Sequence, residues 1–174
     1  MKKTFISILL VLLFTTSPMF AVTDSFNVST TVAGVGMVKV TTTASTTPNV
    51  GAFNALEAYG DLAITTSGSQ TFTAYLSTLS NSRSGYTLTM DATPMKSTVL
   101  AVDSYIDYTV TVNSVALTTT GSTPVTGLEI LNVASLTGIA TESHAVALSV
   151  DATTFDAAVA GSYTGTVTFT YAAT

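Results

Sequence analysis

The chain has no cysteine, no tryptophan, one histidine and four prolines, and charged residues fill only 9 % of its 174 positions. Each scarcity excludes a class of protein. Without cysteine there is no disulfide scaffold, thiol nucleophile, zinc ribbon, iron–sulfur cluster or lipid-carrying N-terminal cysteine. Five Lys plus Arg against ten Asp plus Glu cannot neutralise a phosphate backbone, so nucleic acid is not an expected partner. What is abundant is hydroxyl: 36 Thr and 19 Ser, about a third of the chain. A hydrophobic content of 47 % nevertheless exceeds that of disordered chains. The length suits one domain, able to bury roughly 68–70 % of its unfolded surface.

The start of the chain reads as an export signal. Lys2 and Lys3 precede an apolar run from Ile6 to Phe14, followed by Thr15, Thr16, Ser17, Pro18 and Ala21, the order of a secretory leader. The run is far shorter than the roughly 20 residues that span a bilayer. Ala21 suits the residue before cleavage, whereas Met19 is larger than the small side chain expected two positions earlier. The expected division is therefore a signal peptide over 1–21 and a single domain over 22–174, with no membrane insertion of the mature chain. The expected location is secreted, at the cell surface, with the periplasm in transit. Beyond the leader only Lys39, Arg83 and Lys96 remain against all ten acids.

From there on the hydrophobic period is two, the mark of strands with one buried face. Tyr86, Leu88 and Met90 alternate with threonines; Ile106, Tyr108, Val110 and Val112 do likewise, as do Val146, Leu148 and Val150 with small residues. In the last segment Tyr163, Val167, Phe169 and Tyr171 share one face, and Thr164, Thr166, Thr168 and Thr170 the other. Threonine is β-branched, so it keeps strand propensity on a solvent face. Weaker strands are expected over 26–32, 35–42, 61–66 and 71–79. Turns are expected at 67–69, 81–85, 113–114 and 118–127, where Gly, Asn and Pro cluster. Ala52–Tyr59 has helical spacing, and Glu129–Leu136 is ambiguous. The whole reads as an all-β, immunoglobulin-like antiparallel sandwich of about seven to nine strands.

Catalytic signatures are missing. His144, the only imidazole, stands in Thr141-Glu142-Ser143-His144 without a nucleophile elbow or a metal-binding pair. Asp103 with Asp107, and Asp151 with Asp156, are close in sequence but read as solvated charge rather than a glycosidase pair. The Asp151–Asp156 stretch lacks calcium-loop spacing. Asn27-Val28-Ser29 matches a glycosylation sequon, although Asn27 is expected on the polar face of a strand. For a sugar platform only Tyr59, Tyr75 and Tyr105 remain off the expected core faces, and packing accounts for them. Neither an enzyme activity nor a cofactor or metal is expected.

The two ends carry the most specific pattern. Gly161 stands fourteenth from the end of the sequence, Tyr163 follows two later, and Val167, Phe169 and Tyr171 continue the alternation. Near the beginning, Phe26, Val28, Thr30 and Val32 alternate ahead of Gly34. In this the chain resembles bacterial chaperone–usher pilins, in a branch that lacks cysteine. It departs from their pattern in having Ala173, not an aromatic, next to last. The resemblance implies a fold short of its final immunoglobulin strand, and a groove filled by the N-terminal arm of the next subunit. That arm would be about 22–34, with Phe26, Val28, Thr30 and Val32 filling the groove and Gly34 as its small residue. Gly161, Tyr163, Val167, Phe169 and Tyr171 would form the accepting strand. The implied function is a structural subunit of a pilus or fimbria, assembled by strand exchange, with a role in adhesion. Implied partners are copies of itself or related subunits, a periplasmic chaperone and an outer-membrane usher. The alternative is a self-sufficient monomeric sandwich, secreted or periplasmic, that binds a protein or glycan through loops such as 43–54 or 118–127.

Overall fold

The computed structural model describes residues 26–174, and the expected leader lies outside them. The described residues up to Val32 belong to one unit and Ala33–Thr174 to another. In the first unit residues 26–32 form no regular element, and every side chain is exposed. The strand expected over 26–32 is not formed there.

The second unit contains eleven strands and two short helices. In chain order they are β1 (Gly36–Thr41), α1 (Val50–Ala55), β2 (Gly68–Ser69), β3 (Tyr75–Ser80), β4 (Tyr86–Ala92), β5 (Met95–Val99), β6 (Val102–Ile106), β7 (Tyr108–Val112), β8 (Val115–Thr118), β9 (Val125–Val133), β10 (Ala140–Val150), α2 (Ala152–Asp156) and β11 (Val167–Ala173). One sheet has the order β1-β3-β10-β7-β8, with β2 added on β10; the second has the order β11-β4-β9; β5 and β6 form a separate hairpin. All pairings are antiparallel. The two main sheets thus hold nine strands and form the expected sandwich. The order β1-β3-β10-β7 corresponds to the four-stranded half of an immunoglobulin domain, and β11-β4 to the adjoining pair of its other half.

Alternation places the core. Tyr86, Leu88, Met90 and Ala92 on β4 and Tyr108, Val110 and Val112 on β7 are buried, while the odd-numbered residues between them are half-buried. Leu76, Ile106, Leu117, Ile130 and Val150 complete the same cluster, each contributing about 1.5–3 kcal/mol by leaving water. β3 is the exception, buried on both faces from Leu76 to Ser80. Residues 42–58 form a strap over its outer side. Thr42 N–H donates to Glu57 O and Tyr59 N–H to Val40 O. Ser45 N–H donates to Ser143 Oγ at 2.8 Å, and Thr141 Oγ1 donates to Ser45 Oγ at 2.6 Å. Lys39 Nζ donates to the carbonyls of Asn54 and Leu56 at the end of α1, and Phe53 on α1 is fully buried.

Several sequence expectations change in the structure. The expected 61–66 strand is an unpaired extended segment, although Ile64 packs against the core. Glu129–Leu136 resolves into the end of β9 and a loop, because β9 pairs with β4 through two register shifts that blur its period. β10 starts at Ala140, six residues before the apolar alternation, and β3 supplies its backbone partner. The 118–127 turn is shorter than expected, since β9 begins at Val125. Of the helix expected over 52–59 only 52–55 is helical: α1 begins earlier, at Val50, capped by Asn49 Oδ1 accepting from Ala52 N–H, and ends at Ala55, where Leu56 turns extended. Asp151 in turn caps α2 by accepting from Thr154 N–H.

Candidate functional site

The candidate site is the open edge of β11. One edge pairs with β4 from Val167↔Ala92 to Ala173↔Tyr86, and the pairing continues through Thr93 N–H to Thr166 O and the Lys96↔Thr164 bridge. No described strand pairs with its other edge. In an immunoglobulin sandwich that edge receives the last strand. The inward residues of β11, Val167, Phe169 and Tyr171, pack against the core yet stay half-exposed, as does Tyr163. Their counterparts on β4 are fully buried. The difference follows from position: β4 has neighbours on both edges and β11 on only one.

β1 also packs against β11. Gly36 has no room for a side chain, because a Cβ there would collide with the Tyr171 ring. That ring stacks on Tyr86 with centroids 5.0 Å apart, and its hydroxyl lies 2.8 Å from Ser80 Oγ. Burial, together with the neighbouring Glu142 and Tyr171, outweighs the Thr78 hydrogen bond and raises the Tyr86 pKa. Gly161 also lies in close approach: a Cβ there would come 2.5 Å from Ser97 Oγ, which would have to turn aside. The Tyr163 hydroxyl lies 2.9 Å from Ser104 Oγ and 3.0 Å from Val159 O, the carbonyl accepting its hydrogen. Val35 N–H donates to Asn81 Oδ1, and Asn81 Nδ2 donates to Ala33 O. Gly34 therefore lies between two anchored neighbours. Ahead of it, Phe26 is 87 %, Val28 86 % and Val32 78 % exposed.

The other sequence candidates have local roles. His144 lies inside β10, opposite Leu76 in register, with its Nε2 3.4 Å from Glu142 Oε2. Asp107 accepts from Gly121 N–H at 2.8 Å. A shallow cleft of about 530 Å³ lies between Asp107, Thr119 and Asp151, but both carboxylates are committed to backbone N–H groups. Asp103 is paired with Lys96 at 2.8 Å. Their mutual hydrogen bond raises the lysine pKa and lowers the aspartate pKa. Among the described residues no group of three or more His, Asp or Glu is placed to hold a metal, and no helix is long and apolar enough to cross a membrane.

The fold is an all-β antiparallel sandwich in which β11, like the other terminal strands β1, β8 and β9, pairs with a described strand along one side only, and the apolar inward residues of β11 are half-exposed. No protein-family model, curated protein or solved structure matches the chain.

Proposed function

We propose that the chain is an exported structural subunit of a surface filament, assembled by strand exchange and serving in adhesion. The arm over 22–34 of one copy would lie along the open edge of β11 in the next. The reading rests on one observation: an unpaired edge whose inward residues Val167, Phe169 and Tyr171 remain half-exposed. Such an edge lacks both hydrogen-bond partners and apolar cover, and an added strand supplies both. Phe26, Val28 and Val32 are exposed and spaced for one face of a strand. Copies of the chain or related subunits are the partners on this reading, and a periplasmic chaperone and outer-membrane usher would handle the subunit before assembly.

Light scattering on the purified chain, with SDS gels of unboiled and boiled samples, tests the proposal. Strand-exchanged polymers are kinetically trapped, so the expected result is a ladder that survives SDS and collapses on boiling. Deleting 22–34 should abolish the ladder while leaving a cooperatively folding domain. A sharp monomer that loses its fold on the same deletion would overturn the reading in favour of an arm that pairs within its own chain.

A further inference from the structure

The tip of the β5–β6 hairpin has a construction that neither the core nor the β11 edge explains. Its strands pair from Met95↔Ile106 to Val99↔Val102, leaving a two-residue turn at Leu100 and Ala101. Both turn residues have positive φ, 52° and 61°. This is the turn arrangement that proteins normally fill with Asn-Gly or a similar pair, because a branched or bulky side chain is strained there. The same chain builds its other turn of this kind, at Asn113 and Ser114 (φ 50° and 63°), from polar residues. In the β5–β6 hairpin the strain instead presents apolar side chains to water. Leu100 is 95 % and Val102 68 % exposed, and Val99 is exposed as well. Four consecutive residues, Val99 to Val102, carry no side-chain hydrogen-bonding group.

Behind the tip the character changes within one residue. Thr98 Oγ1 donates to Asp103 Oδ1 at 2.7 Å, and Lys96 Nζ is 2.8 Å from Asp103 Oδ2. The two charges of the stem are therefore spent on each other. Lys96 stands opposite Tyr105, three residues behind the tip pair, or roughly 10 Å along the strand. An amphipathic tyrosine and a lysine are the side chains that settle at a membrane–water interface. An apolar group seated at such an interface reaches about 5–10 Å below the headgroups.

We propose that this tip docks on the surface of a lipid bilayer, with Val99, Leu100 and Val102 among the acyl chains and Lys96 and Tyr105 at headgroup level. A protein pocket generally orients its ligand through placed polar contacts, and the tip offers no side chain for them. The formal charge of −5 gives no attraction to anionic lipid, so the occupant is a neutral, zwitterionic surface. Four residues touch a bilayer without spanning it. The hairpin contributes no strand to either main sheet, and its stem, not its tip pair, bonds the segment leading into β11 through the Lys96↔Thr164 bridge and the Tyr163–Ser104 hydrogen bond.

The absence of tryptophan from the chain makes the test local. In the full chain, Leu100→Trp is compared with Ser135→Trp, at an exposed loop position, on adding phosphatidylcholine vesicles. The expected result is a blue shift and quenching by brominated lipid at position 100 and not at 135. A second variant, Leu100→Asn with Ala101→Gly, keeps the turn with its preferred residues. It should fold normally and lower the quenching of a Val102→Trp reporter at least tenfold at equal lipid. An unchanged spectrum at position 100, or equal quenching with and without the turn substitution, overturns the proposal. So does a blue shift that grows with protein concentration in the absence of lipid, which would assign the tip to a contact between copies.

Discussion

Tyr108 is buried within β7 and donates its hydroxyl hydrogen to Thr93 O at 2.7 Å, with Thr166 O 3.4 Å away. Those carbonyls lie where β4 and β11 leave their ladder, so one side chain ties the second sheet to the first. Burial pushes its pKa up to about 12. A folded-state pKa above the unfolded one means that the folded state holds the proton more tightly. The resulting stability is complete below pH 10 and is lost as pH rises from 10 through about 12. Urea unfolding at pH 7 and 11 should show the native chain losing stability that Tyr108→Phe does not lose. At pH 7 the substitution should cost about 0.5–1.5 kcal/mol through its missing hydrogen bond. The aromatic alternation shows in the sequence that Tyr108 faces inward. The carbonyls it meets belong to segments fifteen and fifty-eight residues away, which no local pattern specifies.

Among the elements, the strap over 42–58 is the least predictable from sequence. It has few large apolar residues, and a run of Thr and Ser ordinarily reads as loop. Its anchor is a hydroxyl network: Thr41 Oγ1 lies 2.9 Å from Ser77 Oγ, which lies 2.8 Å from Ser143 Oγ, which in turn accepts from Ser45 N–H. Ser143→Ala removes the acceptor of a partly buried amide and should destabilise the fold by about 1–3 kcal/mol. Chemical denaturation checks the magnitude, and faster hydrogen exchange at the Ser45 amide checks the location. The same network accounts for the missed first half of β10. Thr141 and Ser143 point to the strap, while Glu142 and His144 share the opposite face with Val146. Neither face shows the apolar alternation by which strands are recognised, and the backbone ladder to β3 makes this segment a strand.

For the molecule as a whole, the open edge of β11 has a thermodynamic consequence. If the edge accepts a strand, a peptide spanning Val22–Gly34 should raise the melting temperature of a chain deleted for that segment. The rise should grow with the logarithm of peptide concentration above the dissociation constant. A peptide with Phe26 and Val28 replaced by Asp should give no shift. Differential scanning fluorimetry at several concentrations reads both.

What the sequence determined by itself is the class of fold and the faces of its clearest strands. Apolar alternation over 86–92, 108–112 and 167–171 reports directly which side chains leave water. Threonine between them both favours strand and faces solvent. Sequence also placed Gly161, Tyr163, Val167, Phe169 and Tyr171 in one pattern. The tertiary structure decided the rest: that β11 pairs on one side only, that 61–66 stays unpaired, that a polar strap covers β3, and that Leu100 stands fully exposed on a strained turn. These features depend on which backbones meet across long sequence separations. Periodicity tells which way a side chain faces, but not whether a neighbouring strand is there to cover it.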